Sequence, residues 1–324
     1  MAGRATSRQS RVLRQLVRHR ISLFGLAGVS LLLLVSIVGP FVAPYDPAAL
    51  SPARLRPPSV EHLMGTENFG RDVLSRFLYG TRVSMFVGLG AVAFGLIIGT
   101  LLGMSAGLRA GTIWDTLIMR GMDVVLAFPL LVLVPVLAGI MQARTIQIGP
   151  LGLNSIAVVG LAIGVVSTPV FARVARGTVL AEVREDYILA ARSFGARTRD
   201  LLFGNLLPNI LAPLIVQAAF SLAIAIAAEA AVSFLGLGVQ PPDSSWGNML
   251  ADARRFVILG AWWLVAFPAA AIAIAVLSFN LLGDALRDAL DPRALVMVAP
   301  GVEQPASDAV IAAPVESRSE GVVA

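Results

Sequence analysis

Apolar residues along this chain fall into long uninterrupted blocks, and polar residues gather in short clusters between them. Crossing ~30 Å of hydrocarbon takes about 20 apolar residues at a rise of 1.5 Å each. Six blocks meet that length: Ile21–Ala43, Val83–Leu108, Val124–Ala143, Thr145–Ala172, Leu201–Ala228 and Phe256–Gly283. Some exceed it, so helices are expected inside the blocks with loop residues at their ends. The pattern predicts an all-α polytopic membrane protein with six transmembrane helices. The first block spans 23 residues and ends in Gly-Pro-Phe-Val-Ala-Pro, which is long for a signal-peptide core and lacks a small-residue cleavage site. It reads as a retained anchor.

Within the second block Ala91, Gly95, Gly99, Gly103 and Gly107 recur every four residues and stack on one helical face. Such a face lets another backbone approach closely. Packing within the chain is the first expectation and a partner subunit the second. Pro129, Pro135 and Pro169 interrupt apolar blocks and predict kinks. Trp262 and Trp263 stand at one end of the sixth block, as in an interfacial belt, and Trp114 falls in the short loop between spans two and three.

Composition narrows the chemistry. The chain has 324 residues, 57% of them apolar and 14% charged, and its net charge of +5 comes from arginine because lysine is absent. Without lysine there is no G-x-x-x-x-G-K-[ST] phosphate loop and no Schiff-base chemistry. Without cysteine there are no disulfides or thiolate metal sites, and His19 and His62 are too few and too far apart for an ordinary zinc cluster. Arginine placement sets the expected orientation. Starting with the N-terminus inside puts 17 arginines on the cytoplasmic side and 8 outside, so both termini are expected in the cytoplasm.

The segment from Glu185 to Asn209 predicts two short helices joined by a turn. Tyr187, Ala190, Ala191 and Phe194 fall at i, i+3, i+4 and i+7 and form one apolar face. Gly195 sits where a helix would end in the left-handed region. Thr198 can cap a second helix, with Asp200 in its first turn, that runs to Pro208. An arginine-rich loop presenting alanines at the centre of an apolar face is suited to docking.

Several polar positions stand out beyond this loop. Glu229, followed by Ser233 and Phe234, is a candidate gate or substrate contact, with a structural hydrogen bond as the plainer reading. Arg71, Asp72 and Arg76 predict local ion pairs on a surface helix, and His62 an ordinary loop histidine. Asp284, Arg287, Asp288, Asp291 and Arg293 predict a salt-bridged helix end. The turn Pro241-Pro242-Asp243-Ser244-Ser245 can cap a short helix from Trp246. The apolar face of that helix, formed by Met249, Leu250, Ala253 and Phe256, would lie on the membrane surface or over the channel mouth. After Arg293 the composition predicts disorder.

These residues resemble a known family. Ala190, Ala191, Gly195, Leu207 and Pro208 match the spacing of the E-A-A-x3-G-x9-I-x-L-P loop of ABC importer permeases, with Leu189 and Asn205 in place of its glutamate and isoleucine. Four ordered blocks resemble the dipeptide/oligopeptide/nickel permease family, in its C-type subunit. They are Gly65–Ser84, Glu229–Pro242, Ser245-Trp246-Gly247 and Phe279–Arg293, with Glu67 and Leu63 standing in for a more usual aspartate and proline.

The resemblance implies a type I ABC importer transmembrane core and a translocation subunit without catalytic residues, cofactor or metal. ATP and Mg would be bound by two separate ATPase subunits that grip the coupling loop through Glu185, Asp186, Tyr187, Ala190, Ala191, Phe194, Gly195, Leu207 and Pro208. The other implied partners are a homologous second permease, membrane lipid and an extracytoplasmic solute-binding protein, for which Arg71, Asp72 and Trp246 are candidate contacts. No nucleic acid is implied. The implied organisation is a cytoplasmic N-terminus at 1–20, an anchor at 21–43 and an extracytoplasmic loop at 44–82. A five-helix core at 83–284 contains the coupling loop at 178–208, and a cytoplasmic tail covers 285–324. Peptides are the expected solute, with nickel chelates or another small solute as the alternative.

Two other classes fit less well. A self-sufficient secondary transporter calls for ionisable residues at mid-membrane and broken helices in repeated halves. An intramembrane enzyme calls for clustered His, Asp or Glu ligands, or a nucleophile with a base.

Overall fold

The computed structural model describes residues 20–143, 147–148, 151–152, 154–196, 200, 204 and 206–290. Nine α-helices are assigned there: α1 Arg20–Val42, α2 Val73–Leu108, α3 Ile113–Ala127, α4 Leu130–Ala143, α5 Ser155–Glu182, α6 Asp186–Ser193, α7 Leu207–Phe234, α8 Trp246–Ala253 and α9 Trp263–Leu290. A hairpin of two-residue strands, β1 Gln147–Ile148 and β2 Leu151–Gly152, precedes α5. Helices α1, α2, α5, α7 and α9 are each long and apolar enough to cross a membrane. Helices α3 and α4 together carry a sixth apolar stretch, bent by 100° at Phe128–Pro129. The expected third span is thus broken at Pro129, whereas Pro135 and Pro169 lie inside α4 and α5.

Helix boundaries depart from the hydropathy blocks because capping, not apolarity, ends a helix. Helix α2 begins ten residues before Val83, inside the expected 44–82 loop. Asp72 is its N-cap: the carboxylate accepts from the Ser75 amide at 2.8 Å. The 36 residues of α2 reach about 54 Å, well beyond a bilayer core. Helix α5 begins behind the Asn154 cap and runs ten residues past Ala172. Pro208 lies in the first turn of α7, where its missing N–H costs nothing, instead of ending a preceding helix. Trp114 belongs to α3, not to a loop, and lies under the guanidinium of Arg109. Thr198, Asn205, Arg293 and the rest of the tail lie outside the described residues.

Helices α2 and α5 form the most intimate pair, and the glycine ladder is the reason. A Cβ on Gly99 would sit 2.5 Å from the carbonyl oxygen of Thr168, and one on Gly107 would sit 2.8 Å from the Val179 side chain. Gly164 of α5 faces back onto Ala91 and Phe94 in the same way. The ladder therefore packs within the chain. The seam merges with a core that includes Phe171, Ala175, Val179 and Leu214. Helix α1 lies over α9 and α2 by the same device, with Gly25 against Leu281, Gly28 against Ser278 and Gly39 against Leu78.

Helix α8 is drawn into the bundle. Met249 and Ala253 are buried in a cluster with Val73, Ala261, Trp263 and Leu264, so the face expected on the membrane surface or channel mouth meets protein. Trp263 is likewise buried, its indole donating to the Thr66 carbonyl at 3.2 Å, and Trp262 alone of the pair is exposed.

Gly99→Leu should force the α2 and α5 backbones apart and cost at least about 1–3 kcal/mol. Gly90→Leu, at a site with no atom within 4 Å, should leave stability unchanged. Thermal unfolding of the purified protein in detergent, followed by tryptophan fluorescence, compares the two.

Candidate functional site

Helix α6 is short, eight residues, with Asp186 in its first turn complementing the helix dipole and Glu185 just before it. Two faces of this helix have opposite fates. Ile188 is fully buried and joins Val179, Leu206 and Ile210 in the main core, with Ala191 and Ala196 half-buried around it. Opposite it, Ala190 is exposed, Tyr187 is 40% exposed and Phe194 is 91% exposed. The helix ends at Gly195, whose φ of +78° is open to glycine at little cost. The Ala196 amide then donates back to the Ala191 carbonyl at 3.1 Å, satisfying a C-terminal acceptor.

A side-chain clamp fixes α6 against its neighbours. The Tyr187 hydroxyl donates to Glu182 at the end of α5 and accepts from the Asn209 amide of α7 at 2.7 Å. Partial burial, then the Glu182 carboxylate, raises the Tyr187 pKa, so the phenol keeps its proton. Leu207 is half-buried and Pro208 exposed in the first turn of α7, and Asn209 links that turn to α6. The structure thus brings Tyr187, Ala190, Ala191, Phe194 and Gly195 onto one short element beside Leu207 and Pro208. Sequence reasoning missed Ile188, Glu182 and Asn209. Ile188 is adjacent to Tyr187, and on so short a helix apolarity alone does not say which face turns inward.

A second polar assembly lies at the opposite end of the bundle. Glu229 of α7 is fully buried, and its two oxygens accept from Ser233 at 2.7 Å and from Ser84 of α2 at 2.8 Å. Ser84 in turn accepts from the Trp246 amide, and Ser233 accepts from the Val239 amide. The Trp246 indole donates to Thr81. One carboxylate therefore ties α2, α7 and α8 together. Gly247 permits the approach, since a Cβ there would lie 2.7 Å from the Ser233 side chain. Phe234, one residue on, is exposed at the end of α7.

Beside this assembly the ion pairs differ from the expected ones. Arg76 is buried, not on the surface, and pairs with Glu67 and with Asp252 at 3.2 Å. Arg71 pairs with Glu67, and Asp72 meets His62 at 2.9 Å. Long-range partners were invisible in the sequence because Asp252 lies 176 residues from Arg76. Of the three residues expected to meet a binding protein, Trp246 is fully buried, Asp72 is buried and Arg71 is partly exposed.

Glu229→Gln keeps a similar shape but only one of the two acceptor oxygens, so it should lose roughly half of what the alanine variant loses. Glu229→Ala strips two buried hydroxyls of their acceptor and should cost about 1–3 kcal/mol for each one left unpaired. Thermal unfolding of the two variants side by side measures the difference.

Comparisons with known proteins bear on the family and the fold. Residues 99–296 match the family described as the binding-protein-dependent transport system inner membrane component. Residues 7–58 match the N-terminal TM domain of oligopeptide transport permease C. The chain is 44% identical over 282 residues to the di/tripeptide transport system permease protein DppC of Pseudomonas aeruginosa, covering 84% of this chain and 88% of that protein. It is 41% identical to the dipeptide transport system permease protein DppC of Alkalihalophilus pseudofirmus, covering 86% and 88% respectively. It is 43% identical to the probable D,D-dipeptide transport system permease protein DdpC of Escherichia coli, covering 82% and 85%. Among solved structures, an inward-facing MetNI methionine ABC transporter superposes with a TM-score of 0.52 at 20% identity, over 66% of this chain and 96% of that one, which supports a shared fold. With relatives this similar over most of its length, and an ABC importer bundle as its fold, the chain belongs to the inner-membrane components of binding-protein-dependent transport systems, as a C-type permease subunit.

Proposed function

We propose that this chain is the C-type half of a peptide-importing channel, pairing with a homologous second permease across a solute path along their interface. Two ATPase subunits, which bind ATP and Mg, grip the two coupling loops. Both termini and α6 lie in the cytoplasm, in accord with the arginine bias, and the end carrying α8 faces the solute-binding protein. The chain itself performs no catalysis: it converts movement of the ATPases into rearrangement of its helices. The peptide assignment rests on the names of the relatives, which transport dipeptides and di- or tripeptides.

The observation that carries this reading is the face of α6. A short helix is anchored by one buried isoleucine and a tyrosine clamp, yet presents a phenylalanine that is 91% exposed. An apolar side chain so displayed on a rigid support suits a groove in a partner, and the clamp through Glu182 and Asn209 passes displacement of α6 to α5 and α7. Glu229, with Ser84 and Ser233, holds α8 in register at the other end. Phe234, at the rim there, is the better placed of the candidate gate residues.

Phe194→Glu should leave insertion and folding intact, since the side chain has few contacts to lose. It should lower binding-protein-stimulated ATPase activity at least about tenfold, as expected for an anchor worth ~2 kcal/mol. The measurement is co-purification with the ATPases and second permease, followed by ATPase assay in nanodiscs. Unchanged recovery and unchanged stimulation would exclude α6 as the coupling element.

A further inference from the structure

At the α8 end a cleft of about 320 Å³ opens between the end of α7, the loop before α2 and the segment that follows α8. Its volume is at the lower limit of ordinary ligand sites. Phe69, Phe234 and Phe256 supply apolar walls, and Asp252, Arg254 and Arg255 supply charge. Among the described residues Glu67 and Asp252 balance Arg71 and Arg76, the pairs lying within ion-pair distance. Arg254 and Arg255 are exposed, line the cleft and form no hydrogen bond or ion pair among those residues, so both guanidinium groups are open to an anionic ligand. Asp252 turns Oδ2 toward Arg76 at 3.2 Å and Arg71 at 3.7 Å, while among the described residues its Oδ1 has no partner and its side chain is 45% exposed.

We infer that this cleft is a reception site for the termini of a short peptide, with Arg254 and Arg255 taking the C-terminal carboxylate and Asp252 the N-terminal ammonium. The inference rests on the importer reading given above and adds to it a recognition element in the permease itself. An extended dipeptide spans about 7 Å at most, within the reach of a cleft this size. Guanidinium groups match a carboxylate with paired hydrogen bonds. The aromatic walls accept side chains of varied shape without reading them closely. A site that reads the two ends and tolerates what lies between suits a transporter of many sequences. An anionic lipid headgroup shares the carboxylate's chemistry and is the competing source.

The test uses the assembled complex in nanodiscs without binding protein, and a dipeptide carrying a benzophenone side chain as photo-probe. Labelling is expected within residues 234–256, and unlabelled dipeptide should compete for it better than the same dipeptide as its C-terminal amide. Arg254→Gln/Arg255→Gln should reduce labelling roughly three- to tenfold, the worth of one hydrogen bond to a partly solvated charge. Arg254→Lys/Arg255→Lys should recover part of it. Equal competition by acid and amide, or undiminished labelling of the glutamine variant, would overturn the inference. So would labelling that falls only when phosphatidylglycerol replaces phosphatidylcholine in the nanodisc and ignores peptide competitors. Binding-protein-stimulated ATPase activity of the native complex is measured alongside. Its absence would refute the importer reading, whereas its presence with no peptide labelling would refute the reception site alone.

Discussion

The α2–α5 seam is a contact between backbones, and the rest of the bundle is arranged around it. Hydrocarbon tails are as apolar as leucine, so long apolar helices in a membrane gain little from merely touching one another. What they can gain is dispersion at close range. Gly95, Gly99, Gly103 and Gly107 supply it by placing no side chain of their own in the seam, so that Gly99 and Gly103 come up against the backbone of α5 at Thr168 and Ala172 and Gly107 against the Val179 side chain. With that distance fixed, Phe171 and Val179 fill the space on either side, and α7 closes against both helices.

Polar ties then set what the apolar seam leaves free. A glycine seam fixes distance better than it fixes which residues stand opposite at the ends. Glu229 does the latter for three elements at once, because its two oxygens accept from serines on α2 and α7 whose own oxygens hold the α8 segment. The Glu67–Arg76–Asp252 group does the same between the loop before α2 and α8. The buried charges of Glu67 and Arg76 are costly to leave unpaired, so their pairing holds the loop before α2 against α2 itself, with Asp252 of α8 at its exposed side. The opposite end has polar ties of its own, since Arg176 meets Asp115 and Arg173 meets Asp123 between α5 and α3. Beside them Ile188 and the Tyr187 hydrogen bonds hold α6, which leaves Phe194 exposed.

The sequence by itself determined how many apolar stretches there are, that they are helical, and where a polar, arginine-rich loop interrupts them. Length and uninterrupted apolarity are local properties, and a membrane allows such stretches little besides helix. The E-A-A-like spacing and the glycine at the end of α6 were legible for the same reason, since a helix period and a left-handed turn are written in adjacent residues. Gly195 adopts the positive φ its position implied.

Only the tertiary structure decided where the helices end, which polar residues meet, and which face of α6 turns inward. Charge closes a hydropathy block, yet α2 runs through Arg76 because Glu67 and Asp252, distant in sequence, neutralise it inside the fold. Pro129 and Pro169 read alike in sequence. The first stands at a 100° break and the second lies inside an uninterrupted, buried stretch of α5. Ile188 and Phe194 are equally apolar, and one is buried while the other is bare because α5 and α7 cover only one side of α6. Local sequence carries conformational preference, but burial and pairing depend on what the rest of the chain brings into contact.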